Sequence, residues 1–67
     1  MKTIMRLSSS SGKEFIDVVK DDENYILQNQ HGAMMIKRNK EDEDGMRSLM
    51  DYINDLTNIY GWVEKRL

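Results

Sequence analysis

Apolar and polar residues alternate along four short segments in the first part of the chain, a pattern typical of β-strands with one buried face. Stretches rich in Ser, Gly, Asn and Asp separate these segments and indicate turns, at residues 8–12, 21–24 and 30–32. We therefore predict a four-stranded antiparallel β-meander over residues 1–38, with strands in segments 3–7, 14–20, 25–29 and 33–38.

A single set of hairpin registers gives all four predicted strands a consistent apolar face. If Val18 lies opposite Leu27, alternation assigns eight residues to the core face: Met5, Leu7, Ile16, Val18, Tyr25, Leu27, Met34 and Ile36. The opposite face, called here the open face, combines apolar with basic and other polar side chains. Its predicted members are Lys2, Ile4, Arg6, Lys13, Phe15, Asp17, Val19, Ile26, Gln28, Met35 and Lys37.

After residue 40 the period of the apolar positions changes from two to about 3.5, which indicates an α-helix with one apolar stripe. We predict a C-terminal helix over residues 42–65 that packs on one face of the sheet. Residues 1–67 are thus predicted to form a single α+β domain with the element order ββββα. The stripe comprises Met46, Leu49, Ile53, Leu56, Tyr60, Val63 and Leu67.

Two interpretations are open for the end of this helix, because a glycine just past the last helical residue commonly adopts a left-handed conformation. If the helix stops at Tyr60, Trp62 folds back on the last turn and is hidden. If the helix continues through Gly61, Trp62 projects away from the apolar stripe and is displayed.

The composition indicates a folded, intracellular protein. Hydrophobic residues make up 39% of the chain and charged residues 33%, a balance that favours a packed domain over disorder. The longest apolar run, residues 33–36, is far too short for a membrane span, and no apolar signal segment follows Met1 and Lys2. The absence of cysteine excludes disulfides and thiolate metal sites. We expect a cytoplasmic protein with no membrane partner.

Sequence motifs for catalysis or cofactor binding are incomplete. The acidic run at residues 40–46 resembles a calcium-binding EF-hand loop, but with Gly45 at the sixth position Lys40 replaces the first ligand. Residues 8–13 have the Ser, Gly and Lys of a phosphate-binding P-loop, yet a predicted strand follows instead of a helix. His31 lies in a predicted turn without a second metal ligand or a nucleophile nearby. We predict no metal, no cofactor and no catalytic residues, and therefore a non-enzymatic protein.

Two surfaces are candidate binding sites. The open face suits either a second copy of the chain, in a homodimer, or single-stranded nucleic acid stacked on its one aromatic ring. Its interface residues are Lys2, Ile4, Arg6, Lys13, Phe15, Val19, Ile26, Met35 and Lys37. An acidic surface either occupies a basic groove on a target or stabilises the start of the helix, with Asp42 or Asp44 as the cap. Its residues are Glu41, Asp42, Glu43, Asp44, Asp51 and Asp55.

These two surfaces follow the distribution of charge. Residues 1–40 contain seven Lys or Arg and five Asp or Glu, a net charge of +2, whereas residues 41–67 contain three and seven, a net charge of −4. We predict a small protein-binding module or regulator that self-associates through the open face or through an edge of the sheet, with an unidentified protein partner. Its size and its Asn, Ile, Lys and Asp content favour a phage or bacterial origin. The alternatives are a single-stranded nucleic-acid-binding protein and an acidic decoy that inhibits such a protein.

Overall fold

The computed structural model describes residues Met1 to Leu67 and contains five β-strands and one α-helix. The elements are β1 (Lys2–Ser8), β2 (Phe15–Lys20), β3 (Asn24–Asn29), β4 (Met34–Asn39), α1 (Glu43–Asn58) and β5 (Val63–Arg66). All strands pair antiparallel in one open sheet, in the spatial order β4-β3-β2-β1-β5. The predicted α+β class, the four-stranded meander and the helix after it are confirmed. The fifth strand was not predicted.

The hydrophobic core lies between α1 and one face of the sheet. The predicted register is confirmed, since Val18 of β2 lies opposite Leu27 of β3, and Leu27 lies opposite Ile36 of β4. Full burial of one aliphatic side chain contributes about 1.5–3 kcal/mol, so this cluster is the main source of stability. The buried cluster consists of Leu7, Ile16, Val18, Leu27, Leu49, Ile53 and Leu56, and Met5, Tyr25 and Ile36 pack against it.

A β-bulge in β4 changes the faces of two predicted residues. Leu27 lies opposite Ile36, but the next residue, Gln28, lies opposite Met34, which leaves Met35 as the extra residue. Met34 therefore shares the open face with Gln28 and is 61% exposed, so its predicted place in the core is wrong. Met35, predicted on the open face, lines a cleft on the helix side instead. Alternation alone does not determine which residues of this segment face the core, because four consecutive residues, 33–36, are apolar.

A second irregularity, in β1, shifts the beginning of the chain. The register changes between Thr3 and Met5, which leaves Ile4 as the extra residue. Ile4 is partly buried and packs against the core cluster. Lys2, before the bulge, lies opposite Lys20 on the helix side of the sheet. The predicted positions of Lys2 and Ile4 on the open face are therefore wrong, because a one-residue shift moves side chains to the other face.

Two hairpin turns use a side-chain oxygen to hold the backbone, as in Asx turns. In the β2–β3 turn, Asp21 Oδ1 accepts hydrogen bonds from the two backbone N–H groups two and three residues further on, at 2.9 and 2.6 Å. These donations lower the pKa of Asp21. In the β3–β4 turn, Asn29 Oδ1 accepts from the backbone of His31 and Ala33 at 2.9 and 3.0 Å. Gly32 in this turn adopts a positive φ, 76°.

The acidic run forms the start of helix α1, which was one of the two roles predicted for it. Asp42 is the N-cap, and its Oδ1 accepts from the Gly45 N–H at 3.0 Å. Glu43 and Asp44 occupy the first turn, where negative charge interacts favourably with the helix dipole. Gly45 is buried, and a Cβ at this position would lie 2.6 Å from Cδ of Arg38. A side chain at residue 45 would therefore displace the side chains of Arg38 and of the cap residue Asp42.

Helix α1 ends at Asn58, so the predicted helix boundary at residue 65 is wrong. Gly61 turns the chain with a φ of 71°, and the Trp62 N–H donates to the Leu56 carbonyl at 2.9 Å. Trp62 is half-buried against the core cluster. The interpretation in which Trp62 folds back on the helix is thereby confirmed.

The residues after this turn form β5, which pairs antiparallel with β1. The spacing of four residues between Val63 and Leu67 fits one helical turn and also two strand repeats. The period therefore does not distinguish the two structures at this end of the chain. Three predicted members of the helical stripe are exposed instead, Tyr60 by 65%, Val63 by 62% and Leu67 by 63%.

Candidate functional site

A cluster of three side chains, Arg6, Asp17 and Phe15, dominates one end of the open face. The Arg6 guanidinium donates two hydrogen bonds to Asp17, from Nε to Oδ1 at 2.8 Å and from Nη2 to Oδ2 at 3.1 Å. Its central carbon lies 3.9 Å from the centroid of the Phe15 ring, in a cation–π arrangement. The hydrogen bonds to Asp17 raise the pKa of Arg6. The aromatic ring predicted to stack on nucleic acid is thus already engaged with a basic group of its own chain.

The apolar centre of the open face is covered within the chain. Val19 and Ile26 lie opposite each other in adjacent strands and are only 4% and 6% exposed. The exposed apolar patch expected from the sequence is therefore much reduced. Of the predicted interface residues, the structure brings Arg6, Phe15, Val19, Ile26 and Lys37 together on this face. It places Lys2, Ile4, Lys13 and Met35 elsewhere, Lys13 in the exposed β1–β2 loop.

The six residues of the predicted acidic surface are all exposed, in α1 and the loop before it. Asp42 uses its carboxylate to cap the helix. Asp44 Oδ1 lies 3.6 Å from Nη1 of Arg47, one turn further on. Asp51 and Asp55 follow Asp44 at intervals of seven and four residues, which places the three carboxylates along one side of the helix. The start of a helix therefore accounts for much of the acidic run.

A cleft of about 400 Å³, called here the terminal cleft, opens on the helix side of the sheet, where β2 begins and β3 ends. Tyr52 and Trp62 in its wall are half-buried and pack against the core cluster, whereas Met35 is 45% exposed. Its volume lies in the range of small ligand pockets, about 300–1,000 Å³. Its apolar lining is Phe15, Ile16, Met35, Tyr52 and Trp62, and its polar lining is Glu14, Asn29, Gln30 and His31.

Local irregularities of the backbone position the residues of the terminal cleft. The bulge of β4 brings Met35 to the helix side, and the turn after α1 brings Trp62 back towards the sheet. The Phe15 N–H donates to Gln30 Oε1 at 3.3 Å, which joins the start of β2 to the β3–β4 turn. The cleft is therefore built from the start of β2, the β3–β4 hairpin, α1 and the turn after α1.

Sequence reasoning missed the terminal cleft. The sequence predicts only a turn at His31, and the predicted helical stripe does not include Tyr52. One signal was present, because Gly61 directly precedes the only tryptophan of the chain, and a glycine after a helix often lets the next residue fold back. The contribution of Met35 had no such signal, since it depends on the bulge.

The outer strands β4 and β5 are a further candidate surface, because unpaired edge strands are templates for another strand. β4 carries Lys37 and Arg38 and no acidic residue. The residues of β5 are all exposed and include Glu64 and Arg66, whose Oε1 and Nε atoms lie 3.2 Å apart. The two edges therefore differ in charge.

Comparisons with models of protein families, with curated proteins and with solved structures found no match to this chain. The one helix, of 16 residues, is neither long nor apolar enough to cross a membrane. The structure contains no group of three or more His, Asp or Glu side chains arranged to hold a metal ion. The function is therefore inferred from the geometry and chemistry of these candidate surfaces.

Proposed function

We propose that the protein is a non-enzymatic protein-binding module whose terminal cleft receives an apolar or aromatic side chain of a partner protein. The observation that carries this proposal is the convergence of Trp62, Tyr52 and Met35 on one open cleft of about 400 Å³. Aromatic residues and methionine are enriched in protein interfaces, and Trp and Tyr account for much of the binding energy. A cleft of this volume accommodates one or two large side chains.

The cleft combines anchored aromatic groups with an adaptable one. The backbone of Trp62 is tied to α1 by its hydrogen bond to Leu56, and Tyr52 is part of α1 itself. A wall that is ordered before binding loses little conformational entropy when the partner arrives. Met35 has an unbranched side chain that adjusts to the shape of the group bound beside it. These properties favour recognition of a protruding side chain.

The polar rim of the cleft favours binding over catalysis. Glu14 and His31 are exposed and lie in turns. Catalytic acids and bases usually lie in clefts that exclude water and hold them against a third group. With Asn29 and Gln30 these side chains supply hydrogen-bonding groups around an apolar centre, the arrangement found at protein interfaces.

Two neighbouring methionines provide a matched test. Met35→Arg places a charge in the terminal cleft, whereas Met34→Arg places the same charge on the open face, where Met34 is 61% exposed. A partner is first captured from the native host in a nuclease-treated sample and purified. Its affinity is then measured by titration, with the fluorescence of Trp62, the only tryptophan, as the signal.

We expect Met35→Arg to lower the affinity at least about tenfold, because the bound side chain would bury an unpaired charge. Met34→Arg should lower it less than about twofold. Equal effects of the two substitutions would contradict binding in the cleft. So would saturating binding that leaves the emission of Trp62 unchanged.

A further inference from the structure

The free edge of β5 presents a specific set of backbone groups. The Leu67 N–H donates to the Ile4 carbonyl at 3.1 Å, and the direction of backbone groups alternates along an antiparallel strand. Lys65 therefore directs its N–H and C=O groups towards β1, as Leu67 does. Glu64 and Arg66 direct theirs away from the sheet, where no strand of the chain pairs with them.

One register lets β5 pair with β5 of a second copy through all of these groups. Around a two-fold axis perpendicular to the sheet, Glu64 lies opposite Arg66 of the second copy, and Arg66 lies opposite its Glu64. Each of these two pairs exchanges two N–H···O hydrogen bonds. The same register places Lys65 opposite Lys65 of the second copy, and Val63 opposite Leu67.

We propose that the chain forms a homodimer in this register, with the two sheets of five strands joined through β5. Glu64 and Arg66 lie on the helix side, because they are opposite core residues of β1. Each carboxylate therefore faces a guanidinium across the dimer axis. On the open face, the exposed Val63 of each copy is covered by the exposed Leu67 of the other. Charge and apolar surface are both self-complementary.

Like charges disfavour the neighbouring registers. A shift of two residues in one direction places Glu64 opposite Glu64, and in the other direction Arg66 opposite Arg66. The register proposed has one unfavourable pair, between the two Lys65 side chains, which are exposed and therefore screened by salt. Because so few residues pair, the interface is smaller than the roughly 1,200 Å² of stable complexes, and we expect a weak, concentration-dependent dimer.

A second copy is a poorer fit at the other edge. β4 contains Lys37 and Arg38 and no acidic residue, so pairing of β4 with itself offers no opposite charge to either residue. The bulge at Met35 also interrupts its edge. The dimer inferred here goes beyond the proposed function, since it uses β5 and neither Met35 nor Tyr52.

Charge reversal with complementation tests the dimer. In sedimentation equilibrium, the mass of the unmodified chain should rise with concentration from 7.9 kDa towards twice that value. Glu64→Arg and Arg66→Glu should each weaken the dimer about tenfold or more, because both Glu–Arg pairs become like-charge pairs. A mixture of the two variants should associate again, since every charged pair across the axis is then complementary. The double variant in one chain should also dimerise.

Several results would overturn this dimer. One is that the unmodified chain stays monomeric at millimolar concentration. Another is that the single variants dimerise like the unmodified chain. A third is that the mixture stays monomeric although circular dichroism shows that both variants fold. A mass that grows beyond the dimer would contradict a closed two-fold pair. Lys37→Glu on β4 is the matched control and should leave dimerisation unchanged, so a loss there would refute the assignment to β5.

Discussion

The two outer strands of the sheet differ in regularity and in charge. β4 is bulged at Met35 and carries only basic charge, whereas β5 is regular and carries both signs. Bulges and uniform charge protect an edge from pairing, while a regular edge with complementary charge invites it. The bulge that protects β4 also delivers Met35 to the terminal cleft. We therefore propose that one edge contributes to binding of another protein and that the other pairs with a second copy of the chain.

Disrupting the turn that precedes β5 should have the largest effect on the stability of the fold and should also weaken the dimer. Gly61 has a φ of 71°, a conformation that costs a β-branched residue roughly 1–3 kcal/mol. We expect Gly61→Val to lower the free energy of unfolding by about 2 kcal/mol in urea titrations and to weaken the dimer. Gly61→Asn should cost less, because asparagine tolerates positive φ. Equal losses for the two variants would show that the turn conformation is not the cause.

Weakening the helix without touching either edge should separate stability from association. Asp42→Ala removes the N-cap of α1, which should lower the free energy of unfolding by about 1 kcal/mol. Asp42→Asn should lose much less, since asparagine is an equally good cap. The dimer affinity of the folded Ala variant should be unchanged in sedimentation equilibrium. A dimer weakened in proportion to the stability loss would mean that association does not reside in β5 alone.

Replacing the one unfavourable pair, formed by the two Lys65 side chains, should strengthen the pairing of β5 with β5 of the second copy. Lys65→Thr removes the two like charges at the dimer axis and keeps a residue type that favours strands. Repulsion between such a pair costs about 0.2–1 kcal/mol. The dissociation constant of the dimer should therefore fall a few-fold. The matched change on the other edge, Lys37→Thr, should have no effect. Unchanged affinity in Lys65→Thr would place Lys65 away from the axis.

The turn between β2 and β3 should respond to pH, with the smallest effect. Two backbone N–H groups lower the pKa of Asp21 in the folded chain. Its charge therefore stabilises the fold above its unfolded pKa of about 4, and the contribution is lost as the pH falls through the folded value. Asp21→Asn keeps an acceptor oxygen, so its melting temperature should lie below that of the parent at pH 7 and approach it near pH 2. A constant difference would exclude the charge as the cause.

The inner part of the fold was predictable because its patterns are unambiguous. Val18 and Leu27 each lie two residues from another core position, Ile16 and Tyr25, in strands bounded by clear turns, so the register of β2 against β3 was predictable. The start of α1 was equally local, since a carboxylate at Asp42 followed by an apolar stripe is a capping pattern. In these cases a few neighbouring residues determine the structure.

The candidate sites were less predictable because they depend on pairing between distant residues. Met34 and Met35 are chemically identical, and only the register against Gln28 decides which one enters the cleft. Val63 and Leu67 fit a helical stripe as well as a strand, and the free edge of β1 decides in favour of the strand. An irregularity of one residue therefore moved the expected binding surface from the open face to the helix side.

Amide hydrogen exchange at increasing protein concentration compares the two edges most directly. The N–H groups of Glu64 and Arg66 point to the free edge of β5. On β4, Lys40 donates to the Glu23 carbonyl, so by alternation Lys37 directs its N–H to the other free edge. We predict that exchange at Glu64 and Arg66 slows as the concentration rises, while exchange at Lys37 stays fast throughout. Exchange at Glu64 and Arg66 that is independent of concentration, or protection that develops at Lys37 instead, would contradict the division of roles between the edges.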